Sequence, residues 1–184
     1  MAIGNNAAAQ WRAIEDLHQL VSSTVRAPAE VSPEMVESFQ LDGVVLLREA
    51  FPDWVEPLRA GLQRNLETPE ALAFPCDSVG DDESGRFFDS YCNWQLIPEY
   101  LRFVLNSQAA AIAAQLMKSA TAQLFHDHAF VKEPGTAKAT PWHHDLPYYC
   151  VDGTQTVSIY VALDRTPIET GVSCLLYTSP SPRD

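Results

Sequence analysis

His143 and Asp145 are the residues of this chain whose types and spacing most directly suggest chemistry. They stand in the run Thr140-Pro-Trp-His-His-Asp-Leu-Pro-Tyr-Tyr149, separated by one position. On extended backbone, side chains two residues apart project from the same side. His143 and Asp145 are therefore expected to aim together while His144 turns away. An imidazole and a carboxylate suit a divalent first-row metal. Two histidines and one carboxylate on one face of Fe(II) leave positions open for a co-substrate and for oxygen. Two of those three ligands can come from this one short segment. His-x-Asp alone is a weak signal, so the setting of the pair carries the weight.

The elements that must position this pair are legible on both sides of it. Residues 122–132 alternate, with Leu124, His126, His128, Phe130 and Lys132 on one face and Phe125, Ala129 and Val131 on the other. Glu133-Pro-Gly135 then turns the chain toward the His-x-Asp segment. Residues 156–164 predict another strand, with Val157, Ile159, Val161 and Leu163 on one side and Ser158, Tyr160 and Ala162 on the other. Upstream the period is helical. Ser32-Pro33-Glu34 is a helix start, with a capping hydroxyl, a first-turn proline and an acid favoured by the dipole. That helix ends at Asp42-Gly43, and Val44-Val-Leu-Leu47 predicts a buried strand. A second helix begins near Pro52-Asp53 and carries Val55, Leu58, Leu62 and Leu66. Pro98 opens a third helix, and the alanine-rich run 109–117 is a fourth. Residues 67–90, with the acids Asp77, Asp81, Asp82 and Glu83, predict a long surface loop. An amphipathic stretch around Trp11, Ile14, Leu17 and Val21 precedes all of this. Helices followed by antiparallel-type strands predict an α+β domain, a β-sandwich or barrel with an N-terminal helical buttress.

Composition narrows the partners. The 184 residues suffice for one domain with a core, and the apolar share of 46% with 20% charged residues is that of a globular protein. A net charge of −12 argues against nucleic acid and anionic membrane as main partners, since both require a basic surface. No secretory leader or membrane-spanning run is visible, so the cytoplasm is the expected location. Cys76, Cys92 and Cys150 are scattered, which predicts buried free thiols and neither a zinc knuckle nor a disulfide framework. Trp142 is expected to anchor the core.

Taken together, Phe39-Gln-Leu-Asp-Gly-Val-Val-Leu-Leu47, Val131-Lys-Glu-Pro-Gly135, Pro141-Trp-His-His-Asp-Leu-Pro-Tyr148 and Ser158-Ile-Tyr-Val-Ala-Leu-Asp164 resemble the phytanoyl-CoA dioxygenase family of Fe(II)/2-oxoglutarate oxygenases. Order and spacing agree from about residue 32 to 173. The resemblance implies a double-stranded β-helix, a cupin-like jelly roll with the metal at its open mouth. It places the first metal histidine and the carboxylate on His143 and Asp145. It also places a lysine that reaches 2-oxoglutarate on Lys132, and a ring near that co-substrate on Tyr160. His128, on the face of Lys132, and Tyr148 are candidate substrate contacts. The implied cofactors are Fe(II) and 2-oxoglutarate, with O2 and a small organic molecule as the other partners. Because Asp145 is an acid where halogenating relatives carry a small residue, the implied reaction is hydroxylation.

Residues 174–184 resemble the translation of a transposase sequencing adapter, which predicts a native domain over 32–173, a peripheral segment over 1–31 and a non-native tail. The family's distal histidine and its 2-oxoglutarate-binding arginine have no match here, so the jelly roll is expected to be incomplete and the chain inactive by itself. A non-catalytic binding module on the same fold, or a zinc-dependent cupin-type enzyme, are the competing readings.

Overall fold

A computed structural model describes residues 31–68, 85–136, 139–167 and 169. The amphipathic stretch around Trp11, the acids at 77–83, Cys76 and the adapter-like residues 174–184 lie outside them.

Helix α1 (Pro33–Asp42) begins as its sequence spells out. The Ser32 hydroxyl accepts a hydrogen bond from the Met35 N–H at 3.3 Å, occupying a donor that has no partner within the helix. It ends at Gly43, whose φ of 74° lets its N–H reach the Phe39 carbonyl at 2.9 Å. A 3-10 turn, Pro52–Trp54, leads into α2 (Val55–Glu67); α3 (Pro98–Asn106) and α4 (Ala109–Leu116) follow. Each expected helix among the described residues is present. Helix α4 holds α1 through polar links as well as packing. Gln40 donates to the Leu116 carbonyl at 2.7 Å, and the Val31 N–H donates to the Gln115 side chain at 3.1 Å.

The sheet departs from expectation. It has two antiparallel strands among the described residues, β1 (Phe87–Tyr91) and β2 (His128–Lys132), in the register Phe87↔Lys132, Asp89↔Phe130 and Tyr91↔His128. Strand β1 falls in the stretch expected to be loop. Five residues of mixed polarity give little periodic signal, and the partner that stabilises them lies far along the chain. The expected strand at 122–132 shortens to 128–132. Beyond it, Glu133 clamps Arg86 across the strands, its carboxylate accepting from the Arg86 N–H at 2.9 Å and from the guanidinium at 2.6 Å.

Residues 44–47 and 156–164 form no ladder, which corrects both strand expectations, and the jelly roll is not displayed among the described residues. Alternation nevertheless holds. Val45 and Leu47 pack inward while Val44 and Leu46 are exposed. Val157 and Ile159 join the same cluster, which is built on Val31, Ile112 and Leu116. Val161 and Leu163 join a second cluster, built on Leu58, Ile97 and Tyr100. Side-chain alternation follows from extended backbone alone, whereas a ladder needs a neighbouring strand. Arg59 ties this segment down through Asp164 at 2.6 Å, and Gln155 does so through the Met117 carbonyl at 3.0 Å.

Behind the sheet lies a buried polar knot. Asn65 of α2 donates to the Ser90 hydroxyl at 3.2 Å, and the Asn93 amide donates to the same hydroxyl. Asp127 accepts from the Trp94 N–H at 3.1 Å, and its carbonyl accepts from the Cys92 N–H at 3.0 Å. These bonds fix the bend after β1, where Cys92 takes a φ of 60°. The knot locks the back of the sheet to α2, so the opposite face keeps a fixed position. Cys92 and Cys150 are free, as expected, but both are exposed where burial was expected. No described helix is long and apolar enough to cross a membrane.

Candidate metal and substrate site

His143 and Asp145 converge. His143 Nε2 lies 3.3 Å from Asp145 Oδ1, and both side chains are about half exposed, at 42% and 50%. No strand achieves this; the segment is irregular. Its shape comes from two local bonds. His143 Nδ1 lies 2.8 Å from the Pro141 carbonyl, and the Tyr148 N–H donates to the Asp145 carbonyl at 2.9 Å, closing the 3-10 turn Leu146–Tyr148.

The bond to Pro141 has a chemical consequence. A carbonyl can only accept, so Nδ1 carries a proton, and in the neutral ring Nε2 keeps its lone pair. That lone pair then faces a carboxylate oxygen, and two acceptors at this distance repel unless a proton or a cation lies between them. Histidine ligands of metals are commonly oriented by this kind of bond from the other ring nitrogen. The separation also suits a shared ion. Two donors at right angles, each about 2.1 Å from a metal, lie about 3.0 Å apart. The donor pair therefore fits a divalent metal. Among the described residues, however, no third His, Cys, Asp or Glu joins it.

Tyr149, which the sequence offers only as a packing or rim residue beside Tyr148, is the neighbour of the pair. Burial raises its phenol above the usual value, reinforced by the Asp145 charge and a hydrogen bond to Asp145, while a hydrogen bond with Ser158 opposes the shift. The 3-10 turn brings residue 149 back over residue 145, a signal visible only once that turn is known. Tyr148, the tyrosine singled out from sequence, is 78% exposed. Trp142 is 67% exposed, which overturns its expected place in the core. The segment around it is irregular backbone with no strand or helix period, so nothing in its local structure turns the indole inward.

The remaining candidates gather on the front of the sheet. His128, Phe130 and Lys132 share one face of β2, opposite Tyr91, Asp89 and Phe87 of β1. Lys132 Nζ lies 5.1 Å from the centroid of the Phe87 ring, within cation–π range. Tyr160 sets its ring 5.7 Å from Phe130, so the two segments expected to flank a co-substrate do meet. His128 Nε2 is bonded to Asp89 Oδ1, and its ring stacks on Tyr91 with centroids 4.0 Å apart. Rings continue toward the His143–Asp145 pair: Tyr91 to His126 at 6.1 Å, then His126 to Tyr149 at 5.1 Å. Tyr149 thus links the aromatic face to Asp145.

A family profile described as phytanoyl-CoA dioxygenase (PhyH) matches residues 39–178, compared with the 32–173 expected from motif spacing. No curated protein and no solved structure matches the chain. The matched span takes in the converging pair, the sheet and the segment carrying Tyr160, and it covers most of the chain. This chain belongs to the phytanoyl-CoA dioxygenase family, a family of dioxygenase-type enzymes.

Proposed function

We propose that the protein is an Fe(II)/2-oxoglutarate-dependent dioxygenase that hydroxylates a small organic substrate, with His143 and Asp145 as two of its metal ligands. The observation that carries this reading is the His143–Asp145 pair: an Nε2 lone pair, set by the Pro141 carbonyl, facing a carboxylate oxygen at 3.3 Å. Ferrous iron with 2-oxoglutarate, when bound, supplies the oxidising equivalents for turning C–H into C–OH, which no side chain can provide.

The chain's own residues do the rest. His143 offers a neutral nitrogen and Asp145 a negative charge, an acceptor set suited to a divalent cation. Tyr149 holds Asp145 with its hydroxyl, limiting rotation of the carboxylate. Lys132 balances the charge of the dicarboxylate co-substrate after leaving the Phe87 ring. Tyr160 and Phe130 wall the same side. His128 lies on this face as a substrate contact.

Anaerobic equilibrium dialysis of Fe(II) against the chain, with His143→Ala and Asp145→Ala variants, tests the metal assignment. Binding is expected to be weak, because two donors hold iron poorly. Each variant is expected to lose at least about tenfold in affinity, a loss typical even of residues that only orient metal ligands. Equal iron binding by both variants and the parent would refute the assignment.

A further inference from the structure

The Asp89–His128 pair is not explained by metal binding. It lies on the front face of the sheet, outside the converging pair, and its geometry is defined on three sides. Asp89 Oδ1 bonds His128 Nε2 diagonally across the two strands. Asp89 Oδ2 also accepts from the Tyr91 hydroxyl at 3.4 Å, so one carboxylate spans both rings. Tyr91 covers one face of the imidazole at an interplanar angle of 18°, and Phe130 stands 5.3 Å away. The Asp89 side chain is 16% exposed and that of His128 34%.

A carboxylate only accepts, so Nε2 carries a proton, and the neutral ring presents its lone pair at Nδ1. Among the described residues Nδ1 has no partner. A carboxylate behind one ring nitrogen makes the other a better acceptor. The surface beside it is made of rings, with Phe130 leading to Tyr160, which is 52% exposed. An oriented acceptor beside open aromatic faces is complementary to a flat, ring-bearing molecule with one hydrogen-bond donor.

We propose that Asp89 and His128 form a substrate-recognition dyad: Asp89 fixes the tautomer of His128, whose Nδ1 accepts a hydrogen bond from an N–H or O–H donor on a ring-bearing substrate. In this dyad His128 is the contact and Asp89 the positioning residue. This rests on the reading above that the aromatic face adjoins the iron site. A cross-strand pair that served only to hold strand register would show no preference among ligands.

The test uses the whole chain with its histidine rings labelled with 15N, and two probes of similar shape, benzyl alcohol and toluene. In the free protein His128 is expected to show a protonated Nε2 and a bare Nδ1. Benzyl alcohol is expected to move the Nδ1 resonance of His128 and to bind about threefold to tenfold more tightly than toluene, the range one neutral hydrogen bond supports. Asp89→Ala, which removes the acceptor behind Nε2, is expected to abolish both the fixed tautomer and the preference. His128→Leu, which keeps an apolar contact with the Tyr91 and Phe130 rings, should equalise the two probes and serves if Asp89→Ala does not fold. Equal affinity in the parent chain, binding of neither probe, or a proton on Nδ1 would overturn the proposal. None of these readouts involves iron, so they separate failure of the dyad from failure of the metal assignment.

Discussion

Gly61 is the position where a single methyl group tests the packing that supports the site. It lies in the interior of α2, facing α3, and a Cβ there would meet Tyr100 Cε1 at 2.8 Å, Glu99 Cβ at 2.9 Å and Tyr100 Cδ1 at 3.0 Å. Glycine to alanine within a helix ordinarily stabilises by about 0.5–1 kcal/mol. Here neither neighbour can yield cheaply. Tyr100 is a ring only 8% exposed, and the Glu99 atom is fixed to the α3 backbone. Overpacking of this kind costs about 1–3 kcal/mol, so Gly61→Ala is expected to destabilise by about 1–2 kcal/mol net. In urea that is a fall of about 0.5–1 M in the unfolding midpoint. Gly43→Ala is the contrasting case: nothing lies within 4 Å of its Cβ, and any loss there comes from the φ of 74°. The two mechanisms separate in a double-mutant cycle. Tyr100→Leu should recover part of the Gly61→Ala loss and none of the Gly43→Ala loss. A Gly61→Ala chain more stable than its parent would refute the close packing of α2 on α3.

Two further outcomes follow from buried charge. Burial raises the Asp127 carboxyl above its ordinary value, against hydrogen bonds that lower it, and its buried Oδ2 has no partner among the described residues. A carboxyl whose folded value is raised costs stability when ionised, and the cost fades as pH falls toward the unfolded value of about 4. Asp127→Asn, which can keep the bond from the Trp94 N–H, should therefore be at least as stable as the parent at neutral pH. Its advantage should shrink in acid; a variant much less stable at pH 7 would show that the charge is needed. Glu99 behaves in the opposite sense. Burial pushes its carboxyl up, but hydrogen bonds from Arg64 at 3.1 and 3.3 Å, with the Arg64 charge, bring it net below the usual value. Its stabilisation is present above the unfolded value of about 4.3 and is lost as pH falls through the lower folded value. Glu99→Gln should flatten that part of the acid-unfolding curve, and an unchanged curve would exclude the Arg64–Glu99 pair as its cause.

Local chemistry made the helices readable. Ser32, Pro33 and Gly43 act within a few residues of themselves, so the ends of α1 needed no tertiary information. Alternation was equally local: Val157, Ile159, Val161 and Leu163 face inward whether or not a strand pairs beside them. The pairing of β1 with β2 was not legible, because Phe87–Tyr91 acquires its partner from a distant segment.

The same division runs through the candidate site. Sequence by itself determined the family, through motifs whose order and spacing survive as a linear pattern, and it determined that His143 and Asp145 lie close together. The tertiary structure decided how they meet: through a Pro141 carbonyl and a 3-10 turn, with Tyr149 rather than Tyr148 against the acid. It also paired Asp89 with His128, two residues that no spacing rule connects. Hydrogen bonds between distant segments depend on where the backbone places them in space, and that placement is a property of the packed chain, not of any stretch of it.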